Sequence, residues 1–298
     1  MSIVHDIITA DELSVATLNT LFDKASYFKN FLTSAVPVAS YLYGKTAINM
    51  FFENSTRTRI SFELAQKLLG MHSIDFNTSV SSLSKGESFE DTIHTINAMK
   101  FDVAIIRHSS FDKVRDASKL IDCPVVNAGA GTTSHPTQAM LDTFTLLEHF
   151  KTLHGKRIVI IGDVAHSRVA QSQMSMFPKF GAEVYICNPY PINRITDKDI
   201  ANCCGVITFD EAIKTADVLS LLRFQVERGA EFPEIPKYCI TDDIMKLTKD
   251  TAVVIHPGPI NQNMEISYEV AYSNRSLITT QVTNGVAIRM ALIHTLLS

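Results

Sequence analysis

Short runs rich in valine and isoleucine recur along the chain, end at glycine, asparagine or proline, and give way to segments of helical character. This alternation predicts an α/β protein with mostly parallel sheets. Strands are expected at 46–52, 102–107, 157–162, 183–187, 218–222 and 252–256, and helices at about 56–69, 88–99, 136–149 and 168–179. The polar stretch Phe150-Lys151-Thr152-Leu153-His154-Gly155-Lys156 joins a helix to a fresh strand, after which the alternation repeats. It is the expected domain boundary. At 298 residues the chain exceeds the size at which one hydrophobic core usually stops growing, so two domains are expected. No tandem repeat or long Gly/Ser linker separates them. Two doubly wound domains should therefore hinge closely, with the cleft between them as the default place for a site.

Composition narrows the function classes. A content of 46% hydrophobic and 19% charged residues excludes a disordered chain, and no apolar run approaches the roughly 20 residues of a spanning helix. The start, Met1-Ser2-Ile3-Val4-His5-Asp6, lacks the basic and apolar regions of a secretory signal, which gives a cytoplasmic expectation. A formal net charge of -4 makes no electrostatic case for nucleic acid or an anionic membrane, so cations that matter must be placed locally. Cys123, Cys187, Cys203, Cys204 and Cys239 form no C-x-x-C pair and read as packing residues of a reducing compartment.

The densest chemistry lies in Ser55-Thr56-Arg57-Thr58-Arg59, which follows the strand ending Phe51-Phe52-Glu53-Asn54 and opens a helix. A helix start offers unpaired N–H groups and a positive dipole. Ser55, Thr56 and Thr58 add hydroxyl donors and Arg57 a planar fork, so this is a phosphate site in prospect. A P-loop is excluded because its glycines and its Lys followed by Ser or Thr are missing. In His135-Pro136-Thr137-Gln138, Pro136 suits a first helical turn, and His135 and Gln138 could address a small carbonyl or NH2 group. Arg107 ends the run Val103-Ala104-Ile105-Ile106, outside the carboxyl end of a strand, where open parallel sheets bind ligands.

In the second half, Gly162-Asp163-Val164-Ala165-His166-Ser167-Arg168 begins like a dinucleotide loop but lacks the later glycines, which excludes a nicotinamide cofactor. Arg168, opening the next helix, and Arg223, followed by Phe224 and Gln225, suit a dicarboxylate. Ser79 to Ser88 reads as a polar loop, and His256-Pro257-Gly258-Pro259 as a rigid turn leaving a strand. No grouping has metal-ligand spacing and no Ser-His-acid set is apparent.

S-T-R-T-R, H-P-T-Q and H-P-G-P in this order resemble the catalytic chains of the aspartate carbamoyltransferase family, and the resemblance covers essentially the whole sequence. Lys85-Gly86-Glu87, Arg107-His108, His166-Ser167-Arg168, Arg223-x-Gln225 and Asn284-Gly285-Val286 fall in the family's order. The resemblance implies a carbamoyl-phosphate domain (1–150 with a returning helix, 285–298) and an aspartate domain (151–284). It implies that Ser55, Thr56, Arg57 and Thr58 hold phosphate, that Arg107, His135 and Gln138 address the carbamoyl group, and that Lys85, Arg168, Arg223 and Gln225 hold aspartate. The turn Pro257-Gly258-Pro259 would lie at the site, and Arg57, Thr58, Arg107 and His135 would be catalytic. Ser81 and Lys85 would come from a neighbouring subunit of a homotrimer. No cofactor or metal is implied, and regulatory or dihydroorotase subunits are conceivable partners. Asn54, Ala130 and Gly258 depart from the commonest family pattern without removing a ligand. Two rival readings are an ornithine-specific carbamoyltransferase, which resembles H-C-L-P in place of H-P-G-P, and a catalytically silent carbamoyl-phosphate-binding subunit.

Overall fold

The structure, a computed structural model, describes residues 5–33, 41–76, 86–189, 201–224 and 235–298. The chain forms two compact units, one of residues 1–140 and 283–298 and the other of residues 141–282.

The first unit is built on a four-stranded sheet of β1 (Thr46–Phe51), β2 (His72–Phe76), β3 (Val103–His108) and β4 (Val125–Ala130), in the order β2-β1-β3-β4. All three pairings are parallel. Side chains alternate across the sheet. Ile48 and Met50 of β1 and Ala104 and Ile106 of β3 pack with Ile93 and Ile96 of α3 (Phe89–Ala98) and Val114 and Ala117 of α4 (Phe111–Leu120). Asn49, between Ile48 and Met50, pairs its amide reciprocally with Gln66 of α2 (Thr56–Leu68), at 3.0 and 2.8 Å. Helix α2 therefore lies on the opposite face, and the sheet is covered on both. The free edge of β4 is paired by Ile7, whose N–H donates to Val125 O and whose carbonyl accepts from Asn127 N, both at 2.8 Å.

The second unit holds β5 (Arg157–Ile161), β6 (Glu183–Cys187), β7 (Gly205–Val206), β8 (Val218–Leu221) and β9 (Val253–Ile255) in the order β7-β6-β5-β8-β9, again all parallel. Ile158 and Ile160 of β5 pack with Leu146 of α5 (Pro136–Phe150) and Met174 of α6 (Arg168–Met176). Val159 and Ile161 face the other way, toward Ala212 of the helix Phe209–Thr215 and Met245 of the helix Asp242–Lys246. Both units are thus doubly wound α/β sheets, as the alternation predicts.

The chain leaves the first unit within α5, between residues 140 and 141, and returns within the C-terminal helix Ile278–Leu297. That helix starts earlier than expected, because apolar residues from Ile278 onward continue its pattern. Helix α6 stops at Met176, short of the expected 179. Pro178 lacks the N–H that an α-turn needs, so a 3-10 turn (Phe177–Phe180) follows and Gly181, at φ 79°, ends it. Among the described residues no helix is long and apolar enough to cross a membrane. The cysteines are free, and burial pushes the Cys123 and Cys187 thiols up to about 11 and about 12. Cys187 and Cys239 are buried as packing residues should be, whereas Cys204 is exposed.

Candidate functional site

In an open parallel sheet, ligands bind outside the carboxyl ends of the strands at the point where the strand order reverses. In the first sheet that point lies between β1 and β3, since the chain goes outward from β1 to β2 and then crosses back to β3. β1 runs into Ser55 and the start of α2, and β3 ends in Arg107 and His108. Register pairs Phe51 with Arg107, and Phe52 N–H donates to Arg107 O at 2.9 Å. The S-T-R-T-R motif and Arg107 therefore flank one switch point.

Ser55 is the N-cap of α2, extended at φ -157° and ψ 102°, and its hydroxyl makes no capping hydrogen bond. Ser88, Ser167, Thr208, Thr241 and Ser267 each accept the N–H three residues on, as ordinary caps do, whereas Ser110, before α4, like Ser55 does not. Ser55 is not spent on its own helix. The first turn of α2 carries no acid, Thr58 is buried, and Thr56, Arg57 and Arg59 are exposed. The helix is held from behind by the buried Arg289, which donates to Ser61 Oγ at 2.9 Å and to Gly285 O at 3.0 Å and lies 4.8 Å from the Phe62 ring centroid.

Arg107 is largely buried. Its Nη1 donates to Ala128 O at 3.3 Å, and its Nε lies at ion-pair distance, 3.5 Å, from Glu53 Oε2. Glu53, two residues before the S-T-R-T-R motif, orients the arginine with its carboxylate. Next to it, the His108 ring packs 5.2 Å from Phe52 and 5.3 Å from Phe89, and its Nδ1 accepts Ser110 N–H at 2.8 Å. Burial lowers its pKa below the ordinary 6.5. A neutral ring supports the turn there rather than adding a cation.

Beyond β4, Ala130 N–H donates to Ser134 O at 2.8 Å and closes the loop that delivers His135 to the start of α5. Gly129 N–H is held by Asn127 Oδ1 at 2.8 Å. His135 and Gln138 are buried, and the backbone carbonyl of His135 accepts from Gln138 N at 3.1 Å. The carboxyl ends of three adjacent strands thus present hydroxyls and Arg57, Arg107, and an imidazole with an amide.

The second sheet reverses between β5 and β8. β5 leads through Gly162 to Arg168, the first residue of α6, and β8 leads to Arg223. Gly162 has φ +130°, and a Cβ there would meet Leu222 Cβ at 2.9 Å and Leu222 O at 3.1 Å. The glycine that began an incomplete dinucleotide motif serves close approach of two strand ends. Ser167 caps α6 through Ala170 N at 3.2 Å, and His166 Nδ1 lies 2.9 Å from Asp163 Oδ1. Arg168 and Arg223 are both half-buried.

From β9, the turn His256–Pro259 is fixed by Gly258 N–H donating to His256 Nδ1 at 2.8 Å, and the Gly258-Pro259 peptide is cis. With Nδ1 an acceptor, the ring proton is on Nε2, which lies 3.3 Å from the buried Glu265 Oε1. Glu265 Oε1 also accepts Asn261 N–H at 2.7 Å. Nothing in the sequence marked Glu265, a lone acid after the polar run Asn261-Gln262-Asn263. Ser81, Lys85 and Gln225 lie outside the described residues. No group of three or more His, Cys, Asp or Glu among the described residues is arranged to hold a metal ion.

Known proteins resemble the chain over its full length. Residues 5–148 match the family of aspartate/ornithine carbamoyltransferase, carbamoyl-P binding domain, and residues 154–296 match aspartate/ornithine carbamoyltransferase, Asp/Orn binding domain. The aspartate carbamoyltransferase catalytic subunit of Chlorobium luteolum is 44% identical, covering 96% of this chain and 95% of the relative. That of Campylobacter concisus is 42% identical over 98% and 96%. Among solved structures, aspartate transcarbamoylase of Trypanosoma cruzi in complex with N-(phosphonacetyl)-L-aspartic acid superposes with a TM-score of 0.90 at 30% identity, covering 100% of this chain and 97% of that one. Ornithine carbamoyltransferase from Pyrococcus furiosus gives 0.84 at 26% identity over 97% and 95%. With both halves matched in order, the chain belongs to the aspartate/ornithine carbamoyltransferase family.

Proposed function

We propose that the protein transfers the carbamoyl group of carbamoyl phosphate to the amino group of L-aspartate, giving N-carbamoyl-L-aspartate and phosphate, a step of pyrimidine biosynthesis. The observation that carries this reading is the placement of two cation sets at two switch points. Hydroxyls with Arg57 and Arg107 flank the first, and Arg168 and Arg223 flank the second. A phosphate suits the first set and a dicarboxylate the second. Two arginines would poorly receive the cationic side chain of ornithine. Curated relatives at 39–44% identity are named for aspartate, which supports the same choice.

In this reading residues 1–150 with 285–298 bind carbamoyl phosphate and residues 151–284 bind aspartate. Ser55, Thr56, Arg57 and Thr58 hold the phosphoryl oxygens. Arg107, Thr58 and His135 donate to the carbamoyl oxygen, and Gln138 addresses its NH2 group. As the neutral aspartate amine attacks, the new N–C bond puts negative charge on that oxygen, where waiting donors stabilise it most. The C–O bond to phosphate then breaks, and the departing phosphate takes the amine proton. Lys85, Arg168, Arg223 and Gln225 hold the aspartate carboxylates, beside the Pro257-Gly258-Pro259 turn. We assign the active unit as a cytoplasmic homotrimer in which Ser81 and Lys85 are supplied by a neighbouring subunit. The name "catalytic subunit" borne by relatives leaves room for regulatory or dihydroorotase partners.

Assaying phosphate release from carbamoyl phosphate with aspartate and ornithine side by side tests the reading. Carbamoyl aspartate should form and citrulline should not. Comparable turnover of ornithine would replace the proposal with the ornithine reading, and no turnover of either with the silent-subunit reading.

A further inference from the structure

The second unit contains a chain of buried polar side chains that no step of the reaction uses. Asp142, on α5, is wholly buried. Its Oδ1 accepts from Gln281 Nε2 and its Oδ2 from Gln173 Nε2, each at 2.7 Å. Gln281 Oε1 accepts the backbone N–H of His256 at 2.9 Å, and Gln173 Oε1 accepts the Ser220 hydroxyl at 2.9 Å. Gln173, Gln281, Ser220 and His256 are buried as well.

The polarity of this chain is forced. The His256 N–H can only donate, so the carbonyl end of the Gln281 amide must face it and the NH2 end must face Asp142. Asp142 must then accept. Burying so many polar groups is costly unless each is met, and a fully met network fixes the elements that carry it relative to one another. Those elements are informative. Gln173 is five residues beyond Arg168 on α6, Ser220 is three before Arg223 on β8, and His256 opens the turn of Pro257, Gly258 and Pro259. One carboxylate ties together the three backbone segments that bear the groups assigned to aspartate.

We infer that Asp142 is the positioning residue of the amino-acid half-site, setting Arg168, Arg223 and the 256–259 turn through Gln173, Ser220 and Gln281. This rests on the aspartate-binding assignment above. Loss of the hub shifts the arginines without removing them. The aspartate KM should therefore rise between about 10- and 10²-fold, the scale on which sub-ångström to one-ångström misplacement acts. The KM for carbamoyl phosphate should stay within about twofold, because Ser55 to Thr58 and Arg107 lie at the other sheet, and His135 and Gln138, at the start of α5, are set by the loop after β4 and not by Gln173, Ser220 or Gln281.

The test compares steady-state kinetics of full-length wild-type protein, Asp142→Ala, Gln281→Glu and the pair Asp142→Asn/Gln281→Glu. Gln281→Glu sets two carboxylates facing each other and should raise the aspartate KM. In the pair, the introduced amide donates to the introduced carboxylate, which still accepts from His256 N–H. The aspartate KM should return to within about threefold of wild type. Should Asp142→Ala fail to fold, Gln281→Glu against the pair decides alone. An unchanged aspartate KM in the folded single variants, equal rises in both KM values, or a pair no better than Gln281→Glu would each overturn the inference. Wild-type protein that ignores aspartate would overturn the assignment beneath it as well, and is recognised before any substitution is made.

Discussion

Under the proposed function, the two switch points meet different binding problems. At the first, most donors arrive in one contiguous segment: Ser55, Thr56, Arg57 and Thr58 surround the start of a single helix, with Arg107 one strand away. At the second, Arg168 and Arg223 come from segments more than fifty residues apart. The physical reason lies in the ligands. A phosphate is compact, and one helix start with its N–H groups can wrap it. A dicarboxylic amino acid spreads its charges, so its receptors must come from several elements whose spacing has to be enforced. In the inference drawn above, the Asp142 chain, hydrogen-bonded to α6, β8 and the turn, would supply that enforcement, and Glu265 holds the 256–261 segment beside it. The first region is specified locally, the second through buried polar contacts.

The comparison can be broken at its sharpest point with Arg107→Ala. Arg107 stands at the carboxyl end of β3, past the wholly buried Val103 to Ile106, so the substitution should leave the fold intact. It should cost roughly 10²- to 10³-fold in kcat, the usual loss for one oxyanion donor, with a smaller change in carbamoyl-phosphate binding. A variant with near wild-type kcat would remove Arg107 from the reacting oxygen.

Gly162→Ala probes the second region. The added Cβ would stand 2.9 Å from Leu222 Cβ at a φ of +130°, so the ends of β5 and β8 must separate. Stability should fall by about 1–3 kcal/mol, read from urea unfolding, and aspartate binding should weaken more than phosphate binding. Equal weakening of both ligands would contradict separate roles for the two switch points.

Much of this fold is legible in the sequence, and the gaps have causes. The expected strands β1, β3, β5, β6, β8 and β9 are consecutive apolar runs because both sheet faces are covered. β2 has no apolar run to mark it, because it is an edge strand whose His72, Ser73 and Asp75 are not buried. β4 reads Val-Val-Asn-Ala-Gly-Ala, and its Asn127 and Gly129 suit the loop that presents His135 better than they suit a strand. α1 (Val15–Thr33) is not among the expected helices, although Leu18, Leu21, Phe22, Ala25 and Phe28 recur at helical spacing and are buried. In the site, S-T-R-T-R announces itself because its residue types have few other uses at a helix start. Asp142, Gln173 and Gln281 do not, since a polar residue in an apolar helix reveals its partner only in three dimensions.

The smallest effect is a pH dependence at the first region. Burial depresses the His108 pKa, so below the ordinary value of 6.5 the unfolded chain binds a proton that the folded chain resists. Its stabilising contribution is therefore present above 6.5 and is lost as pH falls below it. Thermal melts of wild type and His108→Gln between pH 7.5 and pH 5 should show a shallower decline for the variant. Parallel curves would assign the acid sensitivity elsewhere.

The most direct measurement of the central claim is calorimetric titration with a molecule that joins a phosphonate to the nitrogen of L-aspartate through an acyl link. Under the proposed function, wild-type protein should bind it at least about 10²-fold tighter than aspartate alone, because such a ligand carries the groups of both substrates, as the transition state does. Arg57→Ala and Arg168→Ala should each remove much of that gain. Binding no tighter than aspartate, or a gain untouched by either substitution, would contradict a site assembled from the phosphate set of one sheet and the arginine pair of the other.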